Sequence, residues 1–73
     1  MNWKDCDVVE IDPEKVSGAP VVKGTRVQAD AIVENYEGGS DEEEIHENFP
    51  SVSIAKIRAI VAYAEARREQ PQL

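Results

Sequence analysis

Cysteine is almost missing from this chain: Cys6 is the only one among 73 residues. No disulfide can close within the chain, and a lone cysteine near the N-terminus fits a reducing compartment. Histidine is as scarce. His46, the only one, stands far in sequence from Cys6, so a zinc site lacks its soft ligands. No apolar run is long enough to span a bilayer, and the opening MNWKDCDVV has no signal-peptide pattern. These absences point to a soluble cytoplasmic protein that needs no cofactor. Bases are few as well, 8 Lys and Arg against 15 Asp and Glu for a net charge of −7. Phosphate affinity rests on basic surface, so a polyanion is not the first partner to expect.

What remains is one small domain with a modest core. With disulfide and metal set aside, oligomerisation or a protein partner is the support left to it. Hydrophobic residues make up 41% of the chain, enough for a globular fold. The charge is uneven: residues 1–50 hold 13 acids and 4 bases, whereas residues 51–73 hold 2 acids and 4 bases. That asymmetry reads equally as two surfaces with different tasks or as plain solvation.

The pattern predicts an extended N-terminal segment over 1–28, a three-helix core over 29–69 and a frayed tail over 70–73, a mainly α fold with a short N-terminal β segment or hairpin. Asp7 to Ile11 is β-branched and stops at Asp12-Pro13. Residues 13–18 make a turn or a single helical turn closing at Gly18. Val21-Val22 and Thr25–Val27 are two short extended pieces hinged at Lys23-Gly24, and Pro20, lacking an N–H, suits a strand start or an edge open to a second chain. The first helix spans about Ala29 to Glu37, with Ala29, Ile32, Val33 and Tyr36 on one face, and ends at Gly38-Gly39. Ser40 and Glu43 have the spacing of a capping box for a second, acidic helix ending near Asn48. After a turn at 49–53, Ser53 caps a third helix from Ile54 to about Glu69. Two helices joined by a short turn and preceded by another give a helix-turn-helix layout.

On the third helix, Ile54, Ile57, Ile60, Val61 and Ala64 form the core face. Ala55, Ala59, Ala62 and Ala66 form a second column, explained either by helix propensity or as a seam for close approach of another helix. Lys56, Tyr63 and Arg67 line a third side. The candidate DNA contacts are Ser53, Lys56, Arg58 and Arg67, of which only Lys56 sits well for base edges. No active site is legible. His46 reads as a surface histidine, Ser17, Ser40, Ser51 and Ser53 serve turns and caps, and the carboxylates at 41–44 point around a helix. Residues 18–24 lack the spacing of a phosphate loop. The chain is therefore not expected to be an enzyme.

Gly18-x-Pro20, Gly24-Thr25-Arg26, Gly39 before an acidic helix, Phe49-Pro50, and Ile57-Arg58-Ala59 leading to Ala62-Tyr63-Ala64 are spaced in a fairly specific way. Over roughly Val9 to Ala64 the chain resembles the domain-of-unknown-function 433 family. Gln28 departs from it, standing where a proline or similar helix-start residue is common. The resemblance implies a homeodomain-like helix-turn-helix core and an antitoxin role against a ribonuclease-like toxin with a PIN-related fold. It carries no catalytic residues. A nuclease rim is often positive, so the acids Asp41, Glu42, Glu43, Glu44 and Glu47 are the candidate toxin-facing surface. Gly18, Pro20, Gly24, Thr25 and Arg26 read as a structural brace, with Arg26 expected to form an ion pair within the fold. The leading reading is an antitoxin-like protein-binding module, expected as a homodimer, that can also repress its own operon. The alternatives are a DNA-binding regulator without a toxin and a purely structural dimer.

Overall fold

The computed structural model describes residues 2–68; the expected tail at 70–73 and the last residue of the predicted third helix lie outside them. Strand β1 (Val9–Ile11) pairs antiparallel with β2 (Pro20–Val22), with Val9 opposite Val22 and Ile11 opposite Pro20. Helices α1 (Ala29–Glu37), α2 (Glu42–Asn48) and α3 (Ile54–Arg68) follow. The fold is three helices with a two-stranded sheet at the N-terminal end. Helix α3 packs on both α1 and α2, and α1 also meets β2.

The loop between the strands is wound the unusual way. Val16, Ser17 and Gly18 have φ of 48°, 55° and 83°, one left-handed turn. It is closed by the Gly18 N–H donating to the Lys15 carbonyl at 3.0 Å and the Ala19 N–H to the Val16 carbonyl at 3.1 Å. Gly18 fits that geometry; β-branched Val16 bears a steric cost of roughly 1–2 kcal/mol there.

Between β2 and α1 the chain bends rather than running on as the second extended piece expected at Thr25–Val27. Gly24 has φ +80°, and the Thr25 hydroxyl donates to the Val22 carbonyl at 2.9 Å while accepting the Val27 N–H at 3.0 Å. The Val22 N–H reaches the Val27 carbonyl at 2.9 Å, within an isolated bridge between Val21 and Gln28. This bridge corrects the idea that Pro20 leaves an edge for a second chain, because β2 is flanked by β1 on one side and by its own chain on the other. The outer edge of the sheet belongs to β1, where Ile11 is exposed. The Val9 N–H is spent on the Cys6 carbonyl at 3.1 Å, and Pro13 has none to offer.

Helix α1 buries Ala29, Ile32 and Val33 as its periodicity requires, but Tyr36, expected on the same face, stands at the surface. Gly39, at φ +103°, turns the chain away from the helix end. The cap of α2 lies one residue later than expected. Asp41, not Ser40, accepts the Glu44 N–H at 2.9 Å, and the Glu44 carboxylate accepts the Asp41 N–H at 3.1 Å. Aspartate is as good an N-cap as serine, and the shift leaves Ile45 inside. Ser53 caps α3 as expected, its Oγ accepting the Lys56 N–H at 3.3 Å. Fully buried Ile32, Ile45, Val52, Ile57 and Ile60 form the centre of the core, with Phe49 packed beside them. Val52 comes from a stretch that reads as a plain turn. Trp3, at 2% exposure, comes from a segment with no apolar pattern at all.

Candidate functional site

Residues 2–8 form neither helix nor strand, and Asp5 to Val8 lie beside α3. Trp3 holds them there. Its ring stacks on Tyr63 with centroids 5.1 Å apart and planes 20° from parallel, and its Nε1–H donates to the Asp30 carboxylate at 3.0 Å. The Tyr63 hydroxyl donates to the Asn2 carbonyl. The Arg67 guanidinium carbon lies 3.5 Å from the Tyr63 ring centroid, a cation–π contact, and its Nη2 is 3.8 Å from the Asp5 carboxylate. Cys6 turns into the core beside them.

Between this segment and α3 runs an open groove of about 370 Å³. Asp5 to Val8 form one wall; Ala59, Ala62 and Ala66 form the other, with Tyr63 and Arg67. Three of the four residues of the expected alanine seam thus line a concavity. Ala55, exposed, lies outside it. Ala62 and Ala66 are exposed and Ala59 half-buried, so none of the three is needed to fill the core.

The acidic helix is more committed than its sequence implies. Asp41 and Glu44 are used by the cap, and Glu42 accepts from Arg58 Nε at 2.7 Å. Glu43 and Glu47 sit one turn apart, exposed, with no ion pair among the described residues. His46 corrects its reading as a surface histidine: it is half-buried, and its Nδ1 lies 2.7 Å from the Val52 carbonyl. A carbonyl can only accept, so Nδ1 carries the proton and ties α2 to the turn before α3.

The four candidate DNA contacts all have work within the fold. Ser53 caps α3, the Lys56 ammonium donates to the Lys23 carbonyl at 3.1 Å, Arg58 holds Glu42, and Arg67 covers Tyr63. Arg26 reverses its expectation. It is exposed and makes no hydrogen bond or ion pair among the described residues. The bend it follows is held instead by Glu10, whose carboxylate accepts the Gly24 N–H at 3.0 Å and the Lys15 ammonium at 3.2 Å. The Gly24 bond first, and Lys15 second, hold the Glu10 carboxyl below its ordinary value. The Gly18–Thr25 brace therefore works through backbone geometry and Glu10, and Arg26 is left to solvent. Among the described residues, no three His, Cys, Asp or Glu side chains gather as a metal cluster would need, and no helix is long and apolar enough to cross a membrane.

The fold is that of a small, mainly helical domain with a two-stranded sheet at its N-terminal end. The chain belongs to the DUF433 family of proteins of unknown function, whose model matches residues 9–64. It is 37% identical over 60 residues to the uncharacterized protein y4eO of Sinorhizobium fredii, a match covering 82% of this chain and 27% of that protein. The chain thus spans about a quarter of the length of that relative. A DUF433 member from Anabaena variabilis, solved by crystallography, has the same fold, with a TM-score of 0.68 at 24% identity, over 86% of this chain and 62% of that one.

Proposed function

We propose that this protein is an antitoxin-like binding module whose partner is a ribonuclease-like toxin with a PIN-related fold, and that α1 to α3 serve as a homeodomain-like helix-turn-helix. The observation that carries the reading is the division of charge on the surface. Glu43 and Glu47 on α2 are exposed and make no ion pair among the described residues, while Lys56, Arg58 and Arg67, the cations that would face nucleic acid, are engaged within the fold. A free acidic pair on a protein of net charge −7 attracts a partner with a positive rim. The two sites for contact are then the Glu43–Glu47 face, which steers, and the alanine-walled groove, which buries apolar surface. A homodimer and repression of the module's own operon are part of the same proposal.

Co-expression with the product of the adjacent gene tests it. The two proteins should co-purify, and the affinity should fall as salt rises. The double change Glu43→Lys and Glu47→Lys should slow association while leaving the fold intact, because rim charges act mainly on encounter. An affinity flat in salt, or one indifferent to both changes, argues against the acidic face. Tight binding of the module alone to its own promoter, with no protein partner, would favour the DNA-binding regulator.

A further inference from the structure

The bend between β2 and α1 is a four-residue loop. The Val22 N–H donates to the Val27 carbonyl at 2.9 Å and Val21 bridges Gln28, which leaves Lys23, Gly24, Thr25 and Arg26 between two paired stretches of chain. Pairing on either side of a loop this short sets its first and last residues, Lys23 and Arg26, beside each other. Both are exposed, and neither side chain makes a hydrogen bond or ion pair among the described residues. Lys56 joins them from the first turn of α3: its ammonium donates to the Lys23 carbonyl at 3.1 Å and keeps its other N–H groups. Lys15 stands behind the loop, on the same Glu10 carboxylate oxygen that accepts the Gly24 N–H.

Three of the four bases in residues 1–50 therefore sit at one corner with a cation of α3, and the division of charge along the sequence is not its division in space. The acids near this corner are Glu10, spent on Lys15 and Gly24, and Asp7, which precedes the Val8 carbonyl that accepts the Lys23 N–H. Residues 49–57, which lead into α3, hold no acid, so none there offsets the positive end of that helix.

We propose that Lys23, Arg26 and Lys56 form a contact for the phosphate backbone of duplex DNA. The planar fork of Arg26 matches two phosphate oxygens, and the two ammonium groups act beside it as point charges. Approach over the exposed acids of α2 is repulsive, which favours this corner over the α2 face. The contact reads charge and not base sequence. It deepens the repression part of the proposed function and rests on it, and it is independent of toxin binding.

Titrations of the full chain against a duplex from its own promoter, and against an unrelated duplex of equal length, test it over a salt series. The log of the affinity should fall linearly with the log of the salt concentration for both duplexes. The double change Lys23→Ala and Arg26→Ala should weaken both complexes alike and lower that slope by about two, since each phosphate contact contributes about 0.9. Arg26→Ala alone should lower it by about one, and Arg26→Lys, which keeps the charge, should restore it. A duplex bound with the same slope by the unmodified and doubly changed chains overturns the corner and leaves repression standing. No binding of either duplex by the unmodified chain overturns both. Equal affinity for the two duplexes, with the slope lowered in the double variant, upholds the corner and removes the sequence preference that repression needs.

Discussion

Gly24 shows how one residue can be required for its backbone alone. A Cβ at that position would meet nothing within 4 Å, yet φ is +80°. Gly24→Ala should therefore cost about 1–2 kcal/mol from backbone strain without any clash, read as a lower urea midpoint with an unchanged slope. The same bend makes Glu10 a pH-sensitive contributor. Its folded pKa is lowered from 4.5, by the Gly24 N–H first and by Lys15 second, so the folded state binds the proton less readily than the unfolded chain. Its contribution is complete above 4.5 and is lost as the pH falls through the lowered folded value. Unfolding midpoints taken down through that window should fall more steeply for the unmodified chain than for Glu10→Gln. Parallel curves would remove Glu10 from the account. Gln28 has φ −69° at the N-cap of α1, a value proline adopts without strain. Gln28→Pro should accordingly be tolerated.

At the scale of elements, α2 offers the sharpest test, since the sequence has two capping boxes in competing registers. Ser40 with Glu43 and Asp41 with Glu44 have the same spacing, and only the second is formed. Asp41→Ala should cost about 1 kcal/mol, whereas Ser40→Ala should be close to neutral; thermal denaturation of the two variants separates them. The bounds of α1 and the end of α2 were legible because glycines and 3.6-residue periodicity are local signals, whereas the start of α2 was off by one residue because two caps compete. The left-handed turn at Val16 was not, because no local preference places a β-branched residue there. Trp3 was missed for another reason. Its partners, Asp30 and Tyr63, stand 27 and 60 residues away, and MNWKDCD has no periodicity to show that one side is covered. A single tryptophan in a chain with 5% aromatics was the available signal, since so large an apolar ring is seldom left in water. Of the candidate surfaces, the alanine column was legible as a stripe, but the wall opposite it, Asp5 to Val8, depends on where Trp3 docks.

For the whole molecule, the excess of acids sets two responses of opposite sign. A net charge of −7 on 73 residues works against the compact state through self-repulsion. Ion pairs among the described residues that offset it include Arg58 with Glu42 at 2.7 Å, Lys15 with Glu10 at 3.2 Å and Arg67 with Asp5 at 3.8 Å, all exposed or only half-buried. Exposed pairs contribute little, so screening should remove more repulsion than attraction. Raising NaCl from low ionic strength should then raise the melting temperature. About 1 kcal/mol of relief corresponds to roughly 4–8 °C in a domain of this size. The proposed complex should respond the other way, because the same screening weakens the pull between Glu43, Glu47 and a positive rim. Measuring both over one salt series keeps them apart: a complex that weakens while the free module grows more stable is losing steering, not fold. If stability instead falls with salt, the surface pairs outweigh the repulsion, and the exposed acids of α2 are then better described as part of the fold's own charge balance than as a face held ready for a partner.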